Sequence, residues 1–234
     1  MMSTGETVTA PDNVGADASA SRIVLFDFDG VLFHGDSFSM FMRDRYRRSL
    51  LSKILALLTM PWWLPCLVFS RWWAARTLVH VALFGMSEER YRRAIDAFAD
   101  QLVRRPRQFC RDGLHVLRRH IAEGDEVFVV TGCEQVLAAR LLLQLGLPEV
   151  GVIGSQVKPG WSGMRVKVHN VGRRKVQSLA AKGVKSWRVA YGDSMLDMQM
   201  LKQAHEPVLV NGTPKLCKRM ERALGRSVTR VSWF

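Results

Sequence analysis

The sequence predicts an α/β fold: a Rossmann-like, mainly parallel sheet with an inserted helical cap. Three observations predict it. Short apolar runs rich in Val, Ile and aromatic residues recur along the chain and close on Gly, Asp or Asn. Segments of helical character separate them, the pattern of strands joined by crossover helices. One long stretch, 37–110, breaks the alternation and is helical in character.

Taken in order, residues 1–21, "MMSTGETVTAPDNVGADASAS", are small, polar and slightly acidic. They hold no apolar h-region and no arginine, so they read as a disordered tail, neither a secretory signal nor a typical transit peptide. The first strand is "RIVLFDFDG" (22–30). After the inserted stretch come a helix over 111–123, the strand "DEVFVVTG" (125–132) and a helix over 134–145. The strand "EVGVIGSQV" (149–157), a helix over 173–182, "SWRVAYGD" (186–193), a helix over 195–204 and "EPVLVNG" (206–212) follow. The core is therefore 22–36 plus 111–234, and the cap is 37–110.

The second half of the cap places Tyr91, Ile95, Phe98 and Leu102 at helical spacing, with Ser87 as N-cap. The first half is far more apolar, and 54–69, "ILALLTMPWWLPCLVF", carries no charge. It is short for a membrane span, which needs about 20 apolar residues, and Pro61 and Pro65 interrupt it. Arg43, Arg45, Arg47, Arg48 and Lys53 precede it, and Arg71 and Arg76 follow. Trp62, Trp63, Trp72 and Trp73 are of the type found at bilayer interfaces. Segment 50–84 is thus expected at a membrane interface, as a re-entrant hairpin or an interfacial helix pair. A buried cap core, with or without a dimer surface, is the competing reading.

Net charge is +13, from 34 Lys+Arg against 21 Asp+Glu, which suits an anionic partner. No nucleic-acid-binding motif accompanies the charge, so an anionic membrane or a phosphorylated substrate is expected instead. Cys66, Cys110, Cys133 and Cys217 form no C-x-x-C pair, which argues against a zinc site or a disulfide framework.

The chemistry-bearing residues sit at strand ends, where α/β sheets place their sites. Asp27 and Asp29 are two apart, so on a strand both face one spot. Carboxylates aimed at one place repel, and a divalent cation is the usual remedy; a strand-end Asp and a turn Asp before Gly30 is the plainer reading. Thr131 ends the second strand and Gly132 is expected to open a helix, where a hydroxyl and free N–H groups suit phosphate. Thr131 as a simple N-cap competes. Lys175 begins a helix against the helix dipole, so an anion is expected beside it; Lys167, Arg173 and Arg174 compete for that role. Asp193 offers a third carboxylate, and Asp197 is placed to hold the lysine. For Ser194 and Asp197 helix capping is the alternative, and for Asp36 and Ser37 it is preferred over substrate contact.

The order D-x-D, T-G, K and G-D-x-x-x-D at successive strand ends resembles the haloacid dehalogenase superfamily, over about 22–34 and 111–212. The resemblance implies Asp27 as nucleophile of an aspartyl-phosphate and Asp29 as general acid and base. It implies Mg²⁺ held by Asp27, Asp193 and the Asp29 backbone carbonyl. Thr131, Gly132 and Lys175 would bind the phosphoryl group, with Ser194 and Asp197 behind them. A cap between the first two motifs resembles the phosphoserine phosphatase-like branch. Leu196, however, stands where that branch usually has Asn, which weakens any inference of serine-phosphate specificity. "DGVLFHGDSFSMFMRDRYRRS", the apolar cap and "GSQV…GRRKV" are more similar to the phosphatidylglycerophosphatase C family. That likeness implies a phospholipid phosphate such as phosphatidylglycerophosphate, handled at the cytoplasmic side of an inner membrane. A soluble cytoplasmic small-metabolite phosphatase is the alternative, and a non-catalytic basic lipid- or nucleic-acid-binding protein a more distant one. The oligomeric state is left open.

Overall fold

The computed structural model describes residues 22–234, so the tail expected over 1–21 lies outside the described residues. The strands are β1 (Ile23–Phe26), β2 (Glu126–Glu134), β3 (Gly151–Gly160), β4 (Gly163–Val168), β5 (Trp187–Gly192), β6 (Ala204–Val210) and β7 (Thr229–Val231). They form one sheet in the order β4-β3-β2-β1-β5-β6-β7. Every pairing is parallel except the β3–β4 hairpin. β1 lies between β2 and β5, with Leu25 opposite Phe128 on one side and Ala190 on the other.

Alternation along the strands gives the sheet two apolar faces, because successive side chains point to opposite sides. Val24, Phe26, Val129 and Val189 enter one buried cluster. Leu25, Val130, Ala190 and Leu209 enter the other. Helices cover both faces: α6 (Arg111–Ala122), α7 (Gln135–Gln144), α8 (Arg173–Ala180), α9 (Met198–Gln203) and α10 (Pro214–Leu224).

Between β1 and α6 run α1 (Ser37–Arg48), α2 (Leu50–Leu58), α3 (Met60–Phe69), α4 (Arg71–Ala82) and α5 (Glu88–Val103). The chain segments that enter and leave this group run side by side. His34 N–H donates to the Gln108 carbonyl at 2.9 Å and Cys110 N–H to Leu32 at 3.0 Å. α5 buries Tyr91, Ile95, Phe98 and Leu102, the stripe its spacing predicts, and Ser87 caps it. It packs against α7.

The apolar helices behave differently. Leu50, Leu57, Leu58, Trp62, Val68 and Phe69 are all more than half exposed, so among the described residues α2 and α3 are not a buried core. Trp63 is partly covered: its indole N–H donates to the Ala56 carbonyl at 2.9 Å and ties α3 to α2. Pro61 sits in the first turn of α3, where a missing N–H costs nothing, and Pro65 lies inside it. No described helix is long and apolar enough to cross a membrane.

Two elements go beyond those the sequence indicates, α10 and the short edge strand β7, while "MRVKV", readable as strand or loop, forms the antiparallel β4. All four cysteines are free.

Candidate active site

β1 stops at Phe26, and the next residues are held by β5: Asp27 N–H donates to the Tyr191 carbonyl at 2.9 Å. A tight turn follows. Leu32 and Phe33 donate to the Phe28 carbonyl, and Gly30 takes a left-handed φ of 85°. Phe28 is fully buried, whereas Asp27 and Asp29 both line one cavity. The shared direction of the two aspartates thus comes from this turn and not from strand alternation, because the strand ends before them. Gly30 is also required for space, since a Cβ there would stand 2.0 Å from Asp193 Oδ2.

Lys175 is the third residue of α8 and is 2% exposed. Its Nζ lies 2.8 Å from Asp27 Oδ1 and 2.6 Å from Asp197 Oδ1. These two carboxylates are the anions that a lysine at a helix start, set against the helix dipole, needs beside it. Lys167, Arg173 and Arg174 are exposed. The second Asp197 oxygen accepts from the backbone N–H of Asp193 and Ser194 at 3.3 Å each, and from Ser194 Oγ at 3.2 Å. Ser194 and Asp197 also form a capping box at the short 3₁₀ turn 195–197. The capping and site readings of these two residues therefore both hold: the cap fixes the carboxylate that fixes the lysine.

Thr131 and Gly132 line the cavity as expected, but the local geometry corrects one detail. β2 continues to Glu134, and Glu134 caps α7 by accepting from Leu137 N–H at 2.8 Å. Gly132 therefore does not open a helix, and Thr131 is not its N-cap. Instead the strand end folds on itself: Thr131 Oγ1 accepts from Cys133 N–H at 3.0 Å, and Ser155 Oγ donates to the Gly132 carbonyl at 2.6 Å. The Asn170 amide spans both strands, donating to the Thr131 and Ile153 carbonyls.

Asp36 is the N-cap of α1, as its sequence position predicts, accepting from Ser39 N–H at 2.7 Å. Ser37 does more. Its N–H donates to Asp29 Oδ1 at 3.0 Å and its hydroxyl to Cys133 Sγ at 3.0 Å. It thus locks Asp29 from the first turn of the inserted helices. A serine eight residues away carries no sequence signal for this role.

The electrostatics are those of crowded acids. Burial and the neighbouring Asp197 push the Asp27 carboxyl up to about 8, against the pull of Lys175. Burial pushes Asp29 up to about 6, against the Ser37 hydrogen bonds. Burial and Asp197 also push Asp193 up to about 6. Burial disfavours the charge of Lys175, but Asp27 and Asp197 outweigh it and hold the ammonium above its ordinary range. Carboxylate oxygens of Asp27, Asp193 and Asp197 lie within 4.8 Å of one another. One ammonium does not balance three such groups. An all-oxygen donor set with excess negative charge fits a hard divalent cation such as Mg²⁺.

The cavity above these residues has a volume of ≈ 1040 Å³. Its far wall is built by α1 and α4, from Phe38, Met42, Tyr46, Leu78 and Val79, with Arg43 and Arg76 also facing it. Leu196, 57% exposed, lies at the wall nearest Asp193.

The profile of the haloacid dehalogenase-like hydrolases matches residues 24–202. Solved structures of similar fold include a protein of unknown function from Bordetella pertussis Tohama I, at 20% identity and TM-score 0.65, over 90% of this chain and 99% of that one. A substrate-bound phosphoserine phosphatase matches at 16% identity and TM-score 0.54, over 90% and 92% of the two chains. A phosphoserine phosphohydrolase-like protein from Francisella tularensis matches at 15% identity and TM-score 0.55, over 89% and 94%.

Proposed function

The chain belongs to the haloacid dehalogenase-like hydrolase family, and on that premise we propose that it hydrolyses a phosphomonoester through an aspartyl-phosphate formed on Asp27. The observation that carries this reading is the Lys175 ammonium, buried between Asp27 and Asp197 at the mouth of β1 and β5. A carboxylate oxygen of Asp27 attacks phosphorus as the ester P–O bond breaks. Asp29, held by Ser37, gives its proton to the leaving oxygen. It then takes a proton from the water that attacks phosphorus and releases Asp27. A carboxyl pushed up to about 6 suits both transfers near neutral pH. In this reading the Thr131 hydroxyl, the Gly132 N–H and Lys175, all lining the cavity, bind the phosphoryl oxygens, and Asp197 with Ser194 orients Lys175. Mg²⁺, held by Asp27, Asp193 and the Asp29 carbonyl, would supply positive charge toward the phosphoryl group.

Within this class the substrate we favour is a lipid phosphate such as phosphatidylglycerophosphate, met at an anionic membrane face. Its support is the exposed apolar surface of α2 and α3 beside Arg47, Arg48 and Lys53, and the apolar cap wall of a large cavity. The similarity of fold to phosphoserine phosphatase favours the second reading, a soluble small-metabolite phosphatase. The deciding experiment is a phosphate-release screen across lipid and soluble phosphomonoesters, with Mg²⁺ and with EDTA. Release that EDTA does not affect, or no release from any phosphomonoester, overturns the proposal.

A further inference from the structure

The β3–β4 hairpin leaves the carboxyl side of the sheet and turns at Gly160–Gly163. At that turn stands Trp161, 97% exposed. A tryptophan so placed leaves its whole apolar surface in water, and the turn is not a loose loop. Gly163 pairs with Phe84 in a β-bridge, Gly85 N–H donates to the Ser162 carbonyl at 2.9 Å, and Met164 N–H to Leu83 at 3.3 Å. Ser162 Oγ lies 3.1 Å from His80 Nε2 on α4. Gly163 has a φ of 122°, and a Cβ there would stand 2.5 Å from the Leu83 carbonyl. The tip is therefore fastened to the end of α4, and Phe84, beside it in the bridge, is itself 48% exposed.

The hairpin itself carries charge of one sign, while the nearby first turn of α5 has Glu88 and Glu89, each paired with an arginine one turn on. Lys158, Arg165 and Lys167 on the hairpin are exposed, and no Asp or Glu occurs from 150 to 192. Aromatic rings at the surface of a basic element are the chemistry of an anionic bilayer interface. α4 relates this tip to the apolar helices. It begins next to the end of α3, runs roughly 18 Å at the α-helical rise, and ends at the tip, while Ala75, Leu78 and Val79 between line the cavity. One apolar contact would leave the molecule free to rotate on a membrane. A second contact at the far end of α4 fixes which way the cavity faces.

We infer that the Trp161 tip, with Phe84, is a second membrane anchor supplied by the sheet, acting with the α2–α3 surface to hold the cavity toward an anionic bilayer. This rests on the lipid-phosphate reading above. The test compares wild type, Trp161→Ser and Trp161→Phe by co-sedimentation with phosphatidylglycerol/phosphatidylcholine vesicles and with phosphatidylcholine vesicles alone. Trp161→Ser should lower partition onto the anionic vesicles about tenfold or more, roughly what burying one large apolar side chain supplies. Trp161→Phe should retain most of it. Hydrolysis of phosphatidic acid incorporated into the anionic vesicles should fall in proportion, while p-nitrophenyl phosphate, which needs no membrane, should be turned over at the wild-type rate. If wild type sediments and Trp161→Ser sediments equally, the anchor is overturned and the lipid reading stands. If wild type does not sediment, both are overturned. A variant that changes only its elution in size exclusion, with vesicle binding intact, assigns the tip to contact with a second copy and also overturns the anchor.

Discussion

Replacing Lys175 with methionine keeps most of the side-chain volume and removes one charge. In the wild type Nζ sits 2.8 Å from Asp27 and 2.6 Å from Asp197, out of water. At an effective dielectric constant of 20, each contact of about 3 Å is worth roughly 5 kcal/mol of Coulomb attraction. Desolvation of the three groups offsets much of that, so the gross figure is not the stability lost. Breaking a buried pair by removing one partner leaves uncompensated charge and costs about 3–5 kcal/mol. A chain of this size loses roughly 2–4 °C of melting temperature per kcal/mol, so the midpoint should fall by roughly 6–20 °C. The assay is thermal unfolding in EDTA, where no added cation substitutes for the ammonium. Adding Asp197→Asn to Lys175→Met should recover part of the loss, because one of the stranded charges is gone, without restoring turnover. Lys167→Met, on the exposed face of β4, should stay within about 0.5 kcal/mol of wild type. Phosphatase rate with Mg²⁺ should drop about 10²–10³-fold in Lys175→Met, the usual size for one preorganised charge donor. A variant that melts within about 2 °C of wild type and turns over within tenfold of it would refute the placement of Lys175 as the buried counterion of the site.

Three further outcomes follow from the same geometry. Gly30→Ala puts a methyl group 2.0 Å from Asp193 Oδ2 and strains a φ of 85°, so turnover should fall about a hundredfold or more and the Mg²⁺ needed for half-maximal rate should rise; unchanged Mg²⁺ titration would contradict it. Below the sheet, burial tends to raise the Asp125 carboxyl, but the His120 contact at 2.8 Å and Arg188 outweigh it and hold it below its usual value. A depressed folded pKa stabilises above the unfolded value near 4 and is lost as pH falls through the folded one. Asp125→Asn should therefore cost about 1–3 kcal/mol at pH 7 and show a shallower loss of stability on acidification, read from urea midpoints across pH. Replacing Leu57, Leu58, Trp62 and Phe69 with serine should lower partition onto anionic vesicles roughly a hundredfold or more and leave p-nitrophenyl phosphate turnover intact, since none of the four lines the cavity; equal vesicle binding would show the surface serves another purpose.

Much of the site was legible because its parts sit at strand ends, and strand ends are marked in the sequence. Asp27, Lys175 and Asp193 are far apart in the chain, but β1 and β5 are neighbours and α8 is the helix that leads into β5. The alternation of buried strands and helices puts them at strand and helix ends, and it is the resemblance of their order to the haloacid dehalogenase superfamily that implies one shared site. Other features depend on backbone detail that periodicity does not encode. β2 runs on to Glu134 because its register with β3 shifts after Val130, and this moves Gly132 off the helix start. β4 does alternate, with Arg165 and Lys167 exposed between Met164, Val166 and Val168, but its antiparallel return onto β3 is a pairing that the pattern does not specify. β7 is three residues long, too short to carry a pattern. The Ser37–Asp29 contact and the cavity wall from α1 and α4 are tertiary, and no local signal records them.

The central claim is a phosphoryl group on Asp27, and trapping it is the most direct test. Asp29→Asn removes the group that activates water, so an intermediate made from p-nitrophenyl phosphate, whose leaving group needs no protonation, should accumulate. After acid quench and proteolysis, mass spectrometry should find one phosphoryl group on the peptide containing Asp27, labile to hydroxylamine and absent from Asp27→Asn/Asp29→Asn. A phosphoryl group on any other residue, or Asp27→Asn turning over at the wild-type rate, would contradict the account.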